Sequence, residues 1–232
     1  MVTLLWSAKG GSGTTVVASL LAFESSCPSL IIDLDGDVPA VLGMPEPERP
    51  GAVDWLVADG ATSQLIDLVV DVDDNTAMLP RGRRPMPPLA CSPQRWELLV
   101  GWARTWEQRH DGIVVIDAGT GVPDAALAAA TDVRWLVTRA CYLSLRGAAA
   151  SEVRPTGVVL LAEAGRALRR RDVQRSLAAP VIAVIDVDPA VARSVDSGLL
   201  VSRAPRWIRR TLQRSHRDAV DPARVLRDGV AA

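Results

Sequence analysis

The segment Ser7-Ala8-Lys9-Gly10-Gly11-Ser12-Gly13-Thr14-Thr15 lies between a short apolar run and a helix-forming run. Glycines let a backbone fold tightly enough for several N–H groups to converge on one anion. A helix that begins at such a loop presents its positive end to the same anion. A hydroxyl in the first turn, here Thr15, can complete the coordination of magnesium. Lys9 is the only lysine among the 26 basic residues of the chain. A compact ammonium in a chain that otherwise uses arginine marks Lys9 for a role that a broad planar guanidinium does not fill. Two further apolar runs end in carboxylates, at Asp33-Leu34-Asp35-Gly36-Asp37 and at Asp117-Ala118-Gly119. Phosphoryl transfer requires a carboxylate that positions the nucleophile near a metal ion. Open α/β sheets bind ligands at the carboxyl ends of their strands, where Asp117 is expected. Each motif alone is also compatible with an ordinary tight turn or a solvated strand end, which is the reading for Asp37. In this order, the three together point to nucleotide phosphates.

The phosphate loop resembles the deviant Walker A loop, KGGxGKT, of the ParA/MinD family of P-loop ATPases, with the Tad-pilus localisation ATPases as a similar branch. On that resemblance Lys9 matches the lysine that reaches the partner's phosphates in a nucleotide-sandwich dimer. Gly10, Gly11, Ser12 and Gly13 match the loop, and Thr15 matches the magnesium-side hydroxyl. The position of the usual P-loop lysine, just after the last glycine, is Thr14 here, which removes a charge from the site. The resemblance further implies that Asp33 lies near magnesium and the Thr15 hydroxyl, that Asp35 orients the attacking water, and that Asp117 holds magnesium through a water. Gly119 and Gly121 would make the γ-phosphate-sensing loop after it mobile. Residues 181–198 resemble the strand and loop that contact adenine, where Asp188 matches an aspartate of the family. Asp186 stands in place of a proline, and Ala162-Glu163 in place of the asparagine that reads the base. The implied cofactors are ATP and Mg2+.

The elements that must position these groups follow from the apolar pattern. Residues 2–6, 30–33, 112–117, 135–138, 157–161 and 181–185 read as buried strands. Continuous apolar strands without polar alternation indicate a sheet covered on both faces, and helical stretches between them indicate βαβ units. A helix is expected over 14–23 and another over 93–109, the latter carrying Trp96, Leu99, Val100 and Ala103, with Trp102 and Trp106 on a neighbouring stripe that packs at a core or edge. Proline-rich stretches at 44–50 and 81–88 read as surface loops. The expected fold is one α/β domain, a mostly parallel doubly wound sheet with helices on both faces, spanning residues 1–232, with residues 199–232 a C-terminal helical extension.

With 232 residues and 48% apolar content the chain can build a sizeable core. A net charge of -1 excludes bulk attraction to polyanions, though not a local patch. Cys27, Cys91 and Cys141 are far apart and odd in number, which argues against a disulfide framework or a zinc site and for reduced thiols in a cytoplasmic protein, and none is placed like the cluster cysteines of the iron–sulfur branches of the superfamily the chain resembles. No signal peptide and no membrane span are expected.

A helix opened by Pro205 is expected over residues 205–217. Trp207, Ile208, Thr211 and Leu212 form one stripe, with Arg206, Arg209, Arg210 and Arg214 on the other side. The helix either packs its stripe on the domain, lies on a membrane as a basic amphipathic helix, or offers its arginines to DNA phosphates. The function expected from the resemblance is an ATP-dependent dimeric switch that positions a cellular cargo, with weak or lost hydrolysis. The alternatives are a non-hydrolysing scaffold, and a P-loop synthetase or kinase acting on a small molecule.

Overall fold

The structure, a computed structural model, describes residues 1–23, 27–58, 60–83 and 91–220. Eight strands form one sheet: β1 (Val2–Ser7), β2 (Ser29–Asp33), β3 (Val70–Asp71), β4 (Thr76–Leu79), β5 (Ile113–Thr120), β6 (Val133–Arg139), β7 (Gly157–Ala162) and β8 (Val181–Asp186). Their spatial order is β3-β4-β2-β5-β1-β6-β7-β8. Every pairing is parallel except that of β3 with β4.

The continuous apolar strands serve two cores at once, because successive side chains point to opposite faces. Val2, Leu4 and Trp6 of β1 enter one core, with Leu30 and Ile32 of β2 and Val114 and Ile116 of β5. Leu5, Ile31 and Val115 enter the other. The first core is covered by α3 (Ala52–Leu56), α4 (Leu65–Leu68), α5 (Pro93–His110), α6 (Ala125–Ala130), α7 (Tyr142–Ala149) and α8 (Arg170–Leu177). The second is covered by α1 (Thr14–Phe23), α2 (Val38–Leu42), α9 (Pro189–Asp196), α10 (Leu200–Arg203) and α11 (Arg206–Val220). This is the mostly parallel α/β sheet with helices on both faces that the pattern predicts.

Three features differ from expectation. Strands β3 and β4 are additions to the sheet. Asp73 Oδ1 accepts from Asn75 N at 2.8 Å and Thr76 N at 2.7 Å, which turns the chain into a strand whose Thr76, Met78 and Leu79 are buried. On α5, Trp106 belongs with the buried set while Trp102 is partly buried beside it. On α11 the inward stripe is Ile208, Leu212, Ser215 and His216, whereas Trp207 is 42% exposed and so leaves the predicted stripe. The helix packs on α1 and β8, with Ser215 Oγ donating to Ile182 O at 2.8 Å and His216 Nε2 lying 3.1 Å from Thr3 Oγ1. Residues 44–51 and 81–83 carry no regular structure, and the rest of the second proline-rich stretch lies outside the described residues. No helix among the described residues is long and apolar enough to cross a membrane.

Candidate functional site

The loop of residues 8–13 leaves the carboxyl end of β1, a central strand, and runs into α1. Gly11 (φ 73°) and Gly13 (φ 77°) take the left-handed backbone that the turn demands. Ser12 Oγ donates to Lys9 O at 2.7 Å and Ser7 Oγ to the same carbonyl at 3.2 Å, which closes the loop on itself. Val17 N donates to Gly13 O at 3.0 Å, starting the helix. Ser12, Thr14 and Thr15 are buried, while Lys9, Gly10 and Gly11 are exposed. The Lys9 ammonium has no hydrogen bond or ion pair among the described residues.

Asp33, at the end of β2, and Asp117, within β5, are direct neighbours in register, both fully buried on the α1 side. Their environments differ. Asp33 accepts from Gly36 N at 2.7 Å, Asp35 N at 3.1 Å and Val38 N at 3.3 Å, so it folds the acidic loop around itself. Asp117 accepts from Gly119 N at 2.9 Å, the nearby Thr15 side chain favours its charged form, and its Oδ2 is buried with no partner among the described residues. The Thr15 side chain thus acts on Asp117 rather than on Asp33. Burial pushes Asp33 up to about 6 and Asp117 up to about 7, against the hydrogen bonds that favour their charged forms. A buried carboxylate oxygen with no donor, beside a hydroxyl and a second carboxylate, is what a hard cation with oxygen ligands satisfies. Thr15, Asp117 and Asp33 therefore fit magnesium.

Asp35 is exposed and lies against the end of β5, where a Cβ on Gly119 would stand 2.0 Å from Asp35 Cγ. Only a glycine leaves Asp35 its place there. Partial burial and the nearby Asp37 raise the Asp35 carboxyl, and Arg81 opposes them. Strand β5 continues further than the sequence predicts, with Thr120 in register with Ser7 and Gly121 N donating to Ser7 O at 2.8 Å. Gly119 therefore lies within a strand rather than in a free loop, and Gly121 (φ 121°) begins the turn.

On the far side of α1 a cleft of about 280 Å³ is lined by Gly13, Val16, Leu161, Ile185, Asp188 and Val191, among others. Asp188 caps α9, its Oδ1 accepting from Ala190 N at 2.7 Å, so it shapes the cleft wall. Asp186 and Arg139 line the same cleft. The structure adds residues that sequence reasoning missed. Arg81 stands over the acidic loop, and Arg139, Glu163 and Arg166 form a charged cluster at the ends of β6 and β7. Their signal was weak because 26 basic residues are scattered through the chain and pairing between distant segments leaves no mark on spacing.

No protein-family model and no curated protein matches the chain. Solved structures do. A ParA family ATPase from Chlorobium tepidum TLS superposes with a TM-score of 0.68 at 18% identity, covering 91% of this chain and 97% of that one. The MinC:MinD cell division protein complex of Aquifex aeolicus gives 0.69 at 16% identity, covering 92% and 94%. An ATP complex of McdA from Cyanothece gives 0.70 at 16% identity, covering 95% and 96%. The fold of this chain is the fold of the ParA/MinD-type P-loop ATPases over nearly its whole described length.

Proposed function

We propose that the chain is a nucleotide-dependent switch of the ParA/MinD type that binds Mg-ATP, dimerises around it and hydrolyses it slowly. The observation that carries this reading is the buried group beside the phosphate loop: Thr15 next to an Asp117 whose second oxygen has no partner among the described residues, with Asp33 beside it. Magnesium held by Thr15 and Asp117 would neutralise phosphate charge at the loop. The backbone N–H groups of Gly10, Gly11, Ser12 and Gly13, with the start of α1, bind the phosphates. Asp35, its carboxyl raised by partial burial and by Asp37 and seated on Gly119, orients the attacking water and takes its proton. The cleft beside Gly13 and Asp188 takes the base. Thr14, neutral at the position next to Gly13, leaves less transition-state charge stabilisation and supports slow turnover.

The exposed Lys9 ammonium, with no hydrogen bond or ion pair among the described residues, supports the dimer, since it is available to a second copy. The cargo is a partner protein or a surface, positioned by the ATP form and released by hydrolysis or exchange. The arginine face of α11 is the surface proposed to meet phosphates outside the molecule, and the membrane version is weaker because Ile208 and Leu212 are already buried.

The test is molar mass in solution by light scattering with Mg-ATP, with Mg-ADP and without nucleotide, for the wild type and Lys9→Ala. The expected outcome is a doubling of mass with Mg-ATP alone, lost in Lys9→Ala. A mass indifferent to nucleotide in both proteins sinks the switch. A second reading, a non-hydrolysing scaffold, is favoured by Thr14, and phosphate release that Asp35→Ala abolishes would refute it.

A further inference from the structure

The phosphate loop holds one ammonium, Lys9, and Thr14 supplies no charge. A nucleoside di- or triphosphate bound there brings several negative charges into the mouth of the cleft, more than one magnesium and one ammonium balance, and a further cation close to Gly13 would complete the balance. Arg139 is that close. It is the last residue of β6 and pairs in register with Leu161 of β7. Leu161 Cδ1 stands 3.1 Å from the position a Cβ on Gly13 would occupy, and Arg139 and Gly13 line the same cleft. One side chain separates the guanidinium strand position from the last glycine of the loop.

The guanidinium is held but not satisfied. Its Nη1 donates to Glu163 Oε1 at 2.6 Å, while its Nε is buried with no partner among the described residues. Glu163 is gripped on its other oxygen by Arg166, and this pair of arginines keeps its carboxyl below the usual carboxylate range, Arg166 contributing most. If Arg139 turns away, Glu163 keeps a counter-charge. Carboxylate and phosphate both present paired oxygens to the guanidinium fork, so the exchange replaces one charge-assisted pair by another.

We propose that Arg139 is the phosphate-neutralising cation of this site, taking the charge role absent at Thr14, and that Glu163 holds it in place until nucleotide arrives. The inference rests on the nucleotide-binding reading above. Nothing in the catalytic chemistry assigned to Asp35 depends on it.

The experiment is calorimetric titration of Mg-ATP and Mg-ADP, each over a range of salt concentrations, into the wild type, Arg139→Ala, Arg139→Lys, Glu163→Gln and Thr14→Lys combined with Arg139→Ala, with circular dichroism to confirm that each variant is folded. Arg139→Ala is expected to weaken both nucleotides about ten- to a hundredfold, the range set by losing a hydrogen bond to a charged group, and to flatten the salt dependence. Arg139→Lys keeps part of the affinity. Glu163→Gln tightens Mg-ATP by removing the competing carboxylate. Thr14→Lys restores affinity in the Arg139→Ala background, which a merely structural role for Arg139 does not predict. Wild-type affinity in Arg139→Ala overturns the inference while leaving the nucleotide reading intact. So does lost affinity with an unchanged salt dependence, which makes Arg139 a base or ribose contact. A wild type that binds neither nucleotide removes the nucleotide reading and this inference with it.

Discussion

At the scale of single residues, the site is defined by groups that are costly where they stand. Asp117 is fully buried, its carboxyl pushed up to about 7 by burial, and it keeps one oxygen without a donor among the described residues. A carboxylate in that position destabilises the cation-free fold, because a buried unpaired charge forfeits its hydration. Asp117→Asn is expected to raise the stability of the nucleotide-free, magnesium-free protein by about 1–3 kcal/mol, a rise in Tm of several degrees. The same variant loses the stabilisation that magnesium adds in the presence of ATP. Thermal melts with and without Mg-ATP check both halves, and a lower Tm for the cation-free variant counts against the argument. Asp33, equally buried, is expected to show a smaller effect, since three backbone N–H groups partly compensate it. That asymmetry was not legible in the sequence. Both aspartates end apolar runs of the sequence, and only the path of the chain after each, folded around Asp33 but straight on through Gly119 after Asp117, separates their roles. The phosphate loop itself was legible because glycine placement and the neighbouring hydroxyls are local. Arg139 and Glu163 were not, because their contact joins two strands that only the sheet brings together.

At the scale of elements, α11 shows how much a helix gains by tertiary packing that its own composition hides. Among its first thirteen positions arginine dominates, yet Leu212 is fully buried and Ile208 nearly so. Leu212→Ala is expected to cost about 2–5 kcal/mol as a core truncation, whereas Trp207→Ala, at an exposed position, is expected to cost under about 1 kcal/mol. Equal losses in denaturant melts would mean that Trp207 and not Leu212 docks the helix. His216 carries a second test. Burial against Thr3 and the edge of Trp135 lowers its pKa from 6.5 to about 4, with the amino terminus adding to the effect. A histidine whose folded pKa is depressed contributes its full stability above the unfolded value of 6.5 and loses it as pH falls towards 4, because the unfolded chain takes up the proton first. The loss at the acid end is up to about 3 kcal/mol from this group. Asp33 and Asp117 titrate in the opposite sense over an overlapping range, so the measurement is the difference between the wild type and His216→Gln. The gap in stability between them is expected to shrink from pH 7 to pH 4.5, and a gap independent of pH removes His216 as the cause. The sequence carried the α11 period but not its phase: the register in which a helix packs is set by α1 and β8, and Trp207 and Ile208 are adjacent residues on opposite sides of that boundary. Likewise β4 is four residues long, too short for a period to emerge, and it became visible only through its pairing with β2.

At the scale of the whole molecule, the near-neutral net charge conceals a polarised surface. With Ile208, Leu212, Ser215 and His216 committed inward, Arg206, Arg210, Arg214 and Arg217 remain exposed on the outer side of α11, and none forms an ion pair among the described residues. Insertion into a bilayer would need apolar area on that face, and among the described residues of α11 Trp207 is the one large exposed apolar side chain. Phosphates need nothing but the guanidinium groups. Binding to duplex DNA through this face is therefore expected to be weak, indifferent to sequence and strongly salt-dependent, with log K falling against log salt at a slope of about -3 to -4 if all four arginines meet phosphates. Arg210→Glu with Arg214→Glu is expected to abolish it without changing the fold, because neither side chain enters the core. If the two chains of an ATP dimer present this face together, the apparent affinity rises with Mg-ATP by more than the doubling of sites, since the second contact becomes intramolecular. Binding that ignores salt, or that survives the double substitution, assigns the polyanion to another surface. Co-sedimentation with anionic vesicles that withstands high salt and is lost in Trp207→Glu would instead favour the membrane, at the cost of undocking Ile208 and Leu212 from the sheet.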